Sequence, residues 1–231
     1  MENKFSTAVI ILAAGVGSRM NSDITKQRMS VFGKSVLLRA VLAFERARSV
    51  EEIVVVCRED EIDFVKAELS RISKLKKTVV GGESRSRSAR NGFYAVSENM
   101  KFVAIHDAAR CLISPELIDR TVYAAWEYGA ASLVGRVFDT VKKVDDDGFI
   151  KTTVDRNSLR LAQTPQVFEK SLYEKALLKS ECTDVTDDNM MLELIGASVY
   201  AVEADGYNFK ITTRSDIEYA EFLIGKGVIP K

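Results

Sequence analysis

The sequence predicts an α/β protein with a doubly wound, mainly parallel sheet. Short apolar runs alternate with longer segments in which apolar residues recur every three or four positions. Strand-then-helix repetition of this kind requires crossovers between parallel strands. Because the chain has 231 residues, 46% of them hydrophobic, it can bury one sizeable core. We therefore expect a single Rossmann-like domain over residues 1–231.

The elements follow from these patterns in chain order. The predicted strands are Ala8–Ala14, Ile53–Cys57, Lys77–Val80, Phe102–His106, Ala131–Phe138 and Ala197–Val202. The predicted helices are Ser35–Ala47, Asp60–Ser73, Ser86–Ser97, Pro115–Tyr128, Glu169–Lys179, Asp187–Ile195 and Ser215–Ile224. Val36, Ala40 and Phe44 illustrate the apolar face of the first helix. Ser114 and Pro115 are the expected N-cap and first residue of the fourth.

One segment departs from this alternation. Val137–Val154 alternates with a period of two around Asp146-Asp147-Gly148, which predicts a β-hairpin with an Asp-Gly turn. We expect it to form an arm, at about residues 137–155, that is inserted into the α/β body. An exposed hairpin is marginally stable alone, so such an arm favours a partner surface.

Charge and cysteine content exclude several classes of protein. The chain has 33 basic and 33 acidic residues, a balance that favours neither a nucleic-acid partner nor a membrane surface. Cys57, Cys111 and Cys182 are widely spaced, which argues against a disulfide framework or a zinc site and favours a reducing compartment. The apolar run Ala8–Ala14 is far shorter than the roughly 20 residues of a membrane helix. We expect a soluble, cytoplasmic protein.

A glycine-rich loop follows the first predicted strand. Gly15 and Gly17 precede Arg19, but Met20 stands where a dinucleotide fingerprint or a P-loop needs glycine. What remains is a turn at the carboxyl end of a strand, where backbone N–H groups can approach anionic oxygens. Arg19 and Lys26 could add two positive charges there; the alternative is a surface turn with solvated basic residues.

Seven segments, in order and with matching gaps, resemble the 2-C-methyl-D-erythritol 4-phosphate cytidylyltransferases. They are Leu12–Gln27, Gly81–Gly92, Ile105–Arg110, Asp139–Val144, Thr153–Phe168, Thr186–Glu193 and Tyr207–Glu221. The resemblance implies a cytoplasmic enzyme of the non-mevalonate isoprenoid pathway. It implies that CTP and methylerythritol phosphate give 4-diphosphocytidyl-2-C-methyl-D-erythritol and pyrophosphate, with Mg²⁺ or another divalent cation.

In the implied reaction the acceptor phosphate attacks the α-phosphorus of CTP directly. A phosphate monoester is already ionised near neutral pH, since its second pKa is about 6, so no general base is needed. The enzyme must instead align the reactants and relieve charge on the α-phosphoryl oxygens. Arginine, lysine, glycine amides and a metal ion suit that task.

The resemblance also assigns residues. Arg19 and Lys26 resemble the transition-state stabilisers, and Arg156 and Lys210 resemble the pair that positions the acceptor phosphate. The implied CTP-binding residues are Ala13, Ala14, Gly15, Gly17, Gly82, Glu83, Ser88 and Asp107, with Arg85 ordering their loop. The implied acceptor-binding residues are Asp107, Thr140, Arg156, Thr164, Thr186 and Lys210. Asp107 is also the implied metal ligand, most other ligands being nucleotide phosphates and water.

Further expectations concern the arm and the single histidine. In the family such an arm clasps a second subunit, so the resemblance implies a homodimer in which Thr140 and Arg156 complete the neighbour's site. His106 is the one histidine of the chain, and we interpret it as structural rather than as a metal ligand.

Two alternatives stay open. A pentitol-phosphate cytidylyltransferase, such as one acting on ribitol 5-phosphate, would share fold and mechanism, but its motifs tend to read AGG, HDAVRPF and VRN. This chain reads LAAG, HDAAR and VDRN. A catalytically silent nucleotide-binding relative is expected to lose one of Arg19, Lys26, Asp107 or Lys210, and this chain has all four.

The chain also departs from the family pattern in places. Cys111 follows HDAAR where proline is usual, and Arg28 stands where an aromatic residue is usual. Glu83 and Arg87 add charge near the expected base pocket.

Overall fold

A computed structural model describes residues 5–15, 25–180 and 185–230. Its strands are β1 (Thr7–Leu12), β2 (Ser30–Val31), β3 (Lys34–Ser35), β4 (Glu52–Cys57), β5 (Leu75–Val80), β6 (Phe102–Asp107), β7 (Ala130–Arg136), β8 (Val141–Val144), β9 (Ile150–Val154), β10 (Arg160–Glu169) and β11 (Tyr200–Glu203). Its α-helices are α1 (Val36–Arg46), α2 (Ile62–Glu68), α3 (Arg85–Ala95), α4 (Pro115–Tyr128), α5 (Lys170–Lys179), α6 (Asp188–Glu193) and α7 (Arg214–Gly225).

Within the described residues, seven strands form the central sheet in the order β11-β7-β10-β6-β1-β4-β5. β10 runs antiparallel to both of its neighbours, and the other pairings are parallel. The carboxyl ends of β1, β4, β5 and β6 therefore share one edge of the sheet. Open α/β sheets bind their ligands at that edge.

Helices cover both faces of the sheet, which confirms the doubly wound α/β fold. On one face, α1 and α4 contribute Leu37, Phe44 and Ile118 to a buried apolar cluster. On the other, α3 and α5 contribute Phe93 and Tyr173 to a second cluster. β1 is covered from both sides, since Ala8 through Ile11 are fully buried, and its sequence is accordingly a continuous apolar run.

The predicted start of α4 is confirmed. The Ser114 hydroxyl accepts a hydrogen bond of 3.2 Å from the Leu117 amide, and Pro115 occupies the first turn. Gly129 ends the helix with a φ of +83°, a left-handed conformation that favours glycine. Ser35 caps α1 in the same way, so that helix begins one residue later than predicted.

The predicted hairpin is present. β8 and β9 pair in antiparallel register from Val141 opposite Val154, and Gly148 in the turn has a φ of +88°. In the chain, the hairpin follows β7 and precedes β10. Because β7 runs in the same direction as β6, the hairpin leaves the body at the edge of the sheet where β6 ends. Phe149 and Ile150 at its tip are mostly exposed.

No strand was predicted at β10, although it lies between β6 and β7; Gln163, Pro165 and Gln166 make its sequence untypical of a central strand. The pairing of β10 with β7 shifts register between Ala162 and Gln166, which accommodates the proline.

The predicted helix Asp60–Ser73 is shorter in the structure: a 3₁₀ turn, Glu59–Glu61, precedes α2, which ends at Glu68. The small β2–β3 hairpin was not predicted. No helix within the described ranges has both the length and the apolar character needed to cross a lipid bilayer.

Candidate active site

Two loops meet at the carboxyl edge of the sheet. Ala13 and Ala14 continue from β1, where the Ala13 amide donates to the Val56 carbonyl oxygen at 2.7 Å. Gly81 and Gly82 continue from β5. A cavity of about 490 Å³ lies between the two loops and is lined by Ala14, Arg58, Glu59, Asp60, Val80, Gly81 and Gly82.

The second loop needs glycine at both positions, because neighbouring side chains approach its backbone closely. A Cβ atom on Gly81 would lie 2.5 Å from the Ala14 Cβ, and one on Gly82 would lie 2.5 Å from the Arg87 Cβ. A larger residue at Gly81 would therefore push the two loops apart, and one at Gly82 would push the loop away from α3. The small residues at 14, 81 and 82, which line the cavity, leave the space that it occupies.

Ser88 braces this loop from within α3. Its buried hydroxyl accepts from the Gly82 amide at 3.1 Å and donates to the Ser84 carbonyl oxygen at 2.9 Å. Ser84 in turn caps the helix by accepting from the Arg87 amide at 3.1 Å. Glu83, which lies between Gly82 and Ser84 in the chain, is exposed.

A buried carboxylate lies at the end of β6, held between two cations. Asp107 Oδ1 accepts from Arg85 Nε at 3.0 Å, and Asp107 Oδ2 accepts from Lys210 Nζ at 2.7 Å. Asp107 lies directly opposite Leu12 of β1, so this ion cluster adjoins the two glycine loops. We call Asp107, Arg85, Lys210 and Asp188 the Asp107 cluster.

The charges of this cluster fix its protonation state. Burial by itself raises the pKa of Asp107, but Arg85 and Lys210 outweigh burial and hold that pKa well below its usual range. Burial by itself lowers the pKa of Arg85, but Asp188 and Asp107 raise it above its usual value. Asp107 therefore stays ionised at neutral pH and accepts hydrogen bonds rather than acting as a general acid.

Asp188 holds Arg85 from the opposite side. This fully buried carboxylate accepts from Arg85 Nη1 at 2.7 Å and from the Tyr173 hydroxyl at 2.6 Å. Its own amide donates to Gln166 Oε1 at 3.0 Å. Both charges of the Arg85–Asp188 pair are thus satisfied by fixed partners, as a buried ion pair requires.

The sequence prediction missed the role of Asp188. In the sequence it follows Asp187, which caps α6 by accepting from the Met190 amide at 3.0 Å. A signal was nevertheless present: Asp188, Met191 and Leu192 share one helical face and are all buried. A carboxylate on the apolar face of a helix indicates a buried partner of opposite charge.

His106 links β6 to β10 through Thr164. The Asp107 amide donates to Thr164 Oγ1 at 3.0 Å, so the Thr164 hydroxyl can donate its single proton to His106 Nδ1 at 3.1 Å. His106 Nε2 then carries the hydrogen and donates to the Arg110 carbonyl oxygen at 3.3 Å. Burial lowers the pKa of His106 to about 3, so the ring is neutral.

Backbone contacts aim Lys210 at Asp107. The Ile211 amide donates to the Ala109 carbonyl oxygen at 2.8 Å. Asn208 Nδ2 donates to the Thr164 carbonyl oxygen at 3.0 Å, and the Asn208 carbonyl accepts from Arg110 Nη1 at 3.0 Å. These bonds fasten the segment that carries Lys210 to the loop after β6 and to β10.

Comparison with known proteins identifies the family. The family model for 2-C-methyl-D-erythritol 4-phosphate cytidylyltransferase matches residues 7–226. The chain belongs to that family. It is therefore a nucleotidyltransferase, as the sequence predicted.

Relatives and solved structures agree with this assignment. The enzyme of this name from Caldanaerobacter subterraneus is 39% identical over 96% of this chain and 100% of its own length. The one from Clostridium botulinum strain Loch Maree is 40% identical over 95% of this chain and 97% of its own length. A crystal structure of 4-diphosphocytidyl-2C-methyl-D-erythritol synthase from Anaerococcus prevotii has a TM-score of 0.86 at 31% identity, covering 97% of both chains.

The structure brings together some of the residues that the cytidylyltransferase resemblance implied. Asp107, Thr164 and Lys210 form one connected set, next to the loops of Ala13, Ala14, Gly15 and Gly82. Lys26 begins a 3₁₀ turn, and its neighbour Gln27 donates from Nε2 to the Gly15 carbonyl oxygen at 3.0 Å. Arg19 and Gly17 lie outside the described residues.

Other implied residues of the cytidylyltransferase site lie on exposed segments. Thr140 and Arg156 are exposed at the base of the arm, where Arg156 Nη1 donates to the Phe138 carbonyl oxygen. Thr186 is exposed just before α6, with its hydroxyl 4.0 Å from Met190 Sδ. These side-chain contacts of Arg156 and Thr186 are thus to their own segments.

The carboxylate of Asp107 fits the kind of metal site that the cytidylyltransferase family implies. In the described parts of the chain, no group of three or more His, Cys, Asp or Glu side chains is close enough to hold a metal ion by itself. Mg²⁺ is commonly bound by one or two carboxylates together with substrate phosphates and water. A single ionised, hard oxygen donor beside the glycine loops meets that requirement.

Proposed function

We propose that the protein transfers the cytidylyl group of CTP to 2-C-methyl-D-erythritol 4-phosphate, releasing pyrophosphate. The observation that carries the proposal is the ionised Asp107 between Arg85 and Lys210, at the sheet edge where the two glycine loops meet. The cluster provides Lys210 for a phosphate and a carboxylate for hydroxyl groups. It provides no poised general base, and this reaction needs none.

In the proposed step, an oxygen of the acceptor phosphate attacks the α-phosphorus of CTP. A new P–O bond forms there while the bond from the α-phosphorus to the bridging oxygen breaks, and pyrophosphate leaves. The nucleophile is ionised at neutral pH, so no proton has to be removed. The barrier falls mainly through alignment and charge stabilisation.

We assign the chain's residues to four tasks. Ala13, Ala14, Gly15, Gly17, Gly82, Glu83 and Ser88 shape the CTP site, through backbone groups and restricted space. Arg19 and Lys26 stabilise the charge that develops on the α-phosphoryl oxygens. Lys210, with its side chain 39% exposed above Asp107, meets the acceptor phosphate together with Arg156. Asp107, Thr140, Thr164 and Thr186 accept or donate hydrogen bonds to the hydroxyl groups of the substrates.

A divalent cation, Mg²⁺ in this proposal, would be held by Asp107 and by the phosphates of the nucleotide. When bound, it would supply additional positive charge at the triphosphate. Asp107 contributes a carboxylate that stays ionised, because Arg85 and Lys210 hold its pKa low.

We further propose a homodimer in which the arm of one subunit reaches the site of the other. Large apolar side chains of the arm and its base are mostly exposed in the single chain, namely Phe138, Val144, Phe149, Ile150 and Leu161. A partner surface would cover them, and Thr140 and Arg156 on the same arm would then meet that partner's substrate. We place the enzyme in the cytoplasm, where the buried free thiols of Cys57 and Cys111 would remain reduced.

The test is a pyrophosphate-release assay across nucleotides and acceptors. We expect the highest kcat/KM for CTP with methylerythritol phosphate and Mg²⁺. Faster turnover of ribitol 5-phosphate would contradict the proposal and indicate the pentitol-phosphate reaction. Calorimetric binding of CTP without pyrophosphate release from any acceptor would indicate a silent nucleotide-binding relative.

A further inference from the structure

A second, larger cavity lies away from the Asp107 cluster. Its volume is about 770 Å³, and it is enclosed by α1, the amino end of α4 and the segment that reaches Pro230. This volume is within the range of about 300–1,000 Å³ that small-molecule sites occupy. Its described lining residues include none of those assigned above to CTP, to the acceptor or to the metal.

The floor of this cavity is apolar. Leu42 and Ala43 line it from α1, Leu112 and Ile113 line it from the segment after β6, and Ile229 lines it from the other side. Four of these five side chains are buried, Ala43 and Ile113 in one apolar cluster of the core and Leu112 and Ile229 in another, and together they make this wall of the cavity apolar. Such a wall favours the apolar part of a ligand over water.

The rim of the cavity is basic. Lys34, Arg39, Arg46, Arg48 and Arg120 line it, against two carboxylates, Glu116 and Asp119. One of these carboxylates is already engaged, because Asp119 Oδ1 accepts from the Ser49 amide at 2.9 Å and from the Ser49 hydroxyl at 2.7 Å.

Arg39 brings a positive charge into the wall itself. This side chain is buried, and its guanidinium donates to the carbonyl oxygens of Val31 at 2.7 Å and Phe32 at 3.1 Å. These carbonyl groups carry no net charge, and the carboxylate that acts on the pKa of Arg39 is Glu221, which does not line the cavity. The cavity therefore combines an apolar floor with a surplus of positive charge at its rim.

We propose that this cavity binds an amphipathic organic anion. The apolar part of the ligand lies against Leu42, Leu112 and Ile113. Its phosphate or carboxylate lies at the basic rim, where arginine donors suit planar or tetrahedral oxyanions. The site is separate from the CTP site, so both ligands bind at once.

Octyl phosphate is a suitable probe, at concentrations below those at which it forms micelles. Trp126 is the one tryptophan of the chain, and its ring lies 5.1 Å from that of Tyr123, which lines the cavity. Its fluorescence can therefore report binding, with calorimetry as a second measurement. We expect octyl phosphate to bind at least about tenfold more tightly than either inorganic phosphate or 1-octanol, because each of these has only one of the two required features.

Two variants locate the probe. The double variant Lys34→Gln, Arg46→Gln removes two rim charges and is expected to weaken octyl phosphate binding about tenfold. Leu42→Gln keeps the length of the side chain, removes its apolar contact and is expected to weaken binding several-fold. The matched control is Arg71→Gln, Lys76→Gln, which removes two exposed charges elsewhere and leaves binding unchanged. A melting curve for each variant confirms that it folds.

Three results would overturn the proposal. Octyl phosphate could bind no better than inorganic phosphate, the rim variant could bind as well as its control, or saturating CTP could compete with the probe. Competition would place the probe in the CTP site. The protein could sediment with phosphatidylglycerol vesicles and lose this sedimentation in the rim variant, which would identify a bilayer lipid as the source of the anion. If the protein binds octyl phosphate but does not sediment with the vesicles, the anion is a free molecule.

Discussion

The Asp107 cluster and the arm carry two parts of the proposed site, and they differ in burial and in how their polar groups are paired. In the cluster, each charged group has partners at fixed distances, and Asp188 is fully buried. On the arm, Arg156 and Thr140 are exposed, and so are several large apolar side chains of the same segment. The cluster is thus organised by the fold of one chain, whereas the arm needs a further surface before its polar groups can act. Each of the following predictions tests this difference.

We expect the largest effect in the part of the proposed site that the α/β body of one chain forms, at the cations that stabilise the transition state. Lys26→Ala should lower kcat by at least two orders of magnitude, because a cation that stabilises a phosphoryl transition state contributes about 10³-fold or more in other enzymes. Steady-state assays at saturating CTP and acceptor measure it, with exposed Lys76→Ala as the control. Arg19→Ala is expected to behave in the same way. A near-normal kcat for Lys26→Ala would remove its assigned role.

Breaking the buried ion pair should cost more stability than breaking an exposed one. Asp188→Asn leaves Arg85 without one of its two carboxylate partners, and we expect the free energy of unfolding to fall by about 3 kcal/mol. The matched control is Glu203→Gln, which breaks the exposed pairs with Arg136 and Arg160 and should lower the free energy of unfolding much less. Urea unfolding measures both. Equal losses would show that the cluster is not specially organised.

The neutral state of buried His106 predicts how stability depends on pH. Its pKa is lowered from about 6.5 to about 3 in the folded protein. Below pH 6.5 the imidazole therefore becomes protonated in the unfolded chain but stays neutral in the folded protein. The stability that this group provides is complete above pH 6.5 and is lost as the pH falls. We expect a loss of about 2 kcal/mol between pH 8 and pH 5.

Urea unfolding at several pH values measures this loss, and His106→Gln is the comparison. Because His106 is the one histidine of the chain, the variant should be less stable at pH 8 but lack the loss on going to pH 5. The same pH dependence in the variant would contradict a neutral, buried His106.

The smallest effect is expected on the arm. Arg156→Ala should raise the KM for the acceptor about tenfold and leave stability almost unchanged, because the side chain is exposed. Lys143→Ala, exposed on the same arm, is the control. Mixing the Arg156 variant with the Lys26 variant should restore part of the activity if the arm acts on the partner's site. No recovery in mixed dimers would mean that each subunit is complete in itself.

The sequence by itself determined the features that depend on near neighbours along the chain. The apolar run of β1, the Ser114-Pro115 start of α4 and the Asp-Gly turn of the arm each follow from local conformational preference. The loop of Gly15 was found in the same way, because it directly follows an apolar strand, whereas Gly82 and Asp107 were implied by the family resemblance. The resemblance then placed Lys210 in the same site, where the structure pairs it with Asp107.

Tertiary structure decided the features that join distant parts of the chain. Arg85 and Asp188 are 103 positions apart, as are Asp107 and Lys210, and no local pattern specifies such a pairing. β10 becomes a strand because β6 and β7 flank it, although its own residues disfavour that structure. The tautomer of His106 and the basic cavity beside α1 likewise depend on which segments the fold brings into contact, since hydrogen bonds and cavities belong to the packed chain.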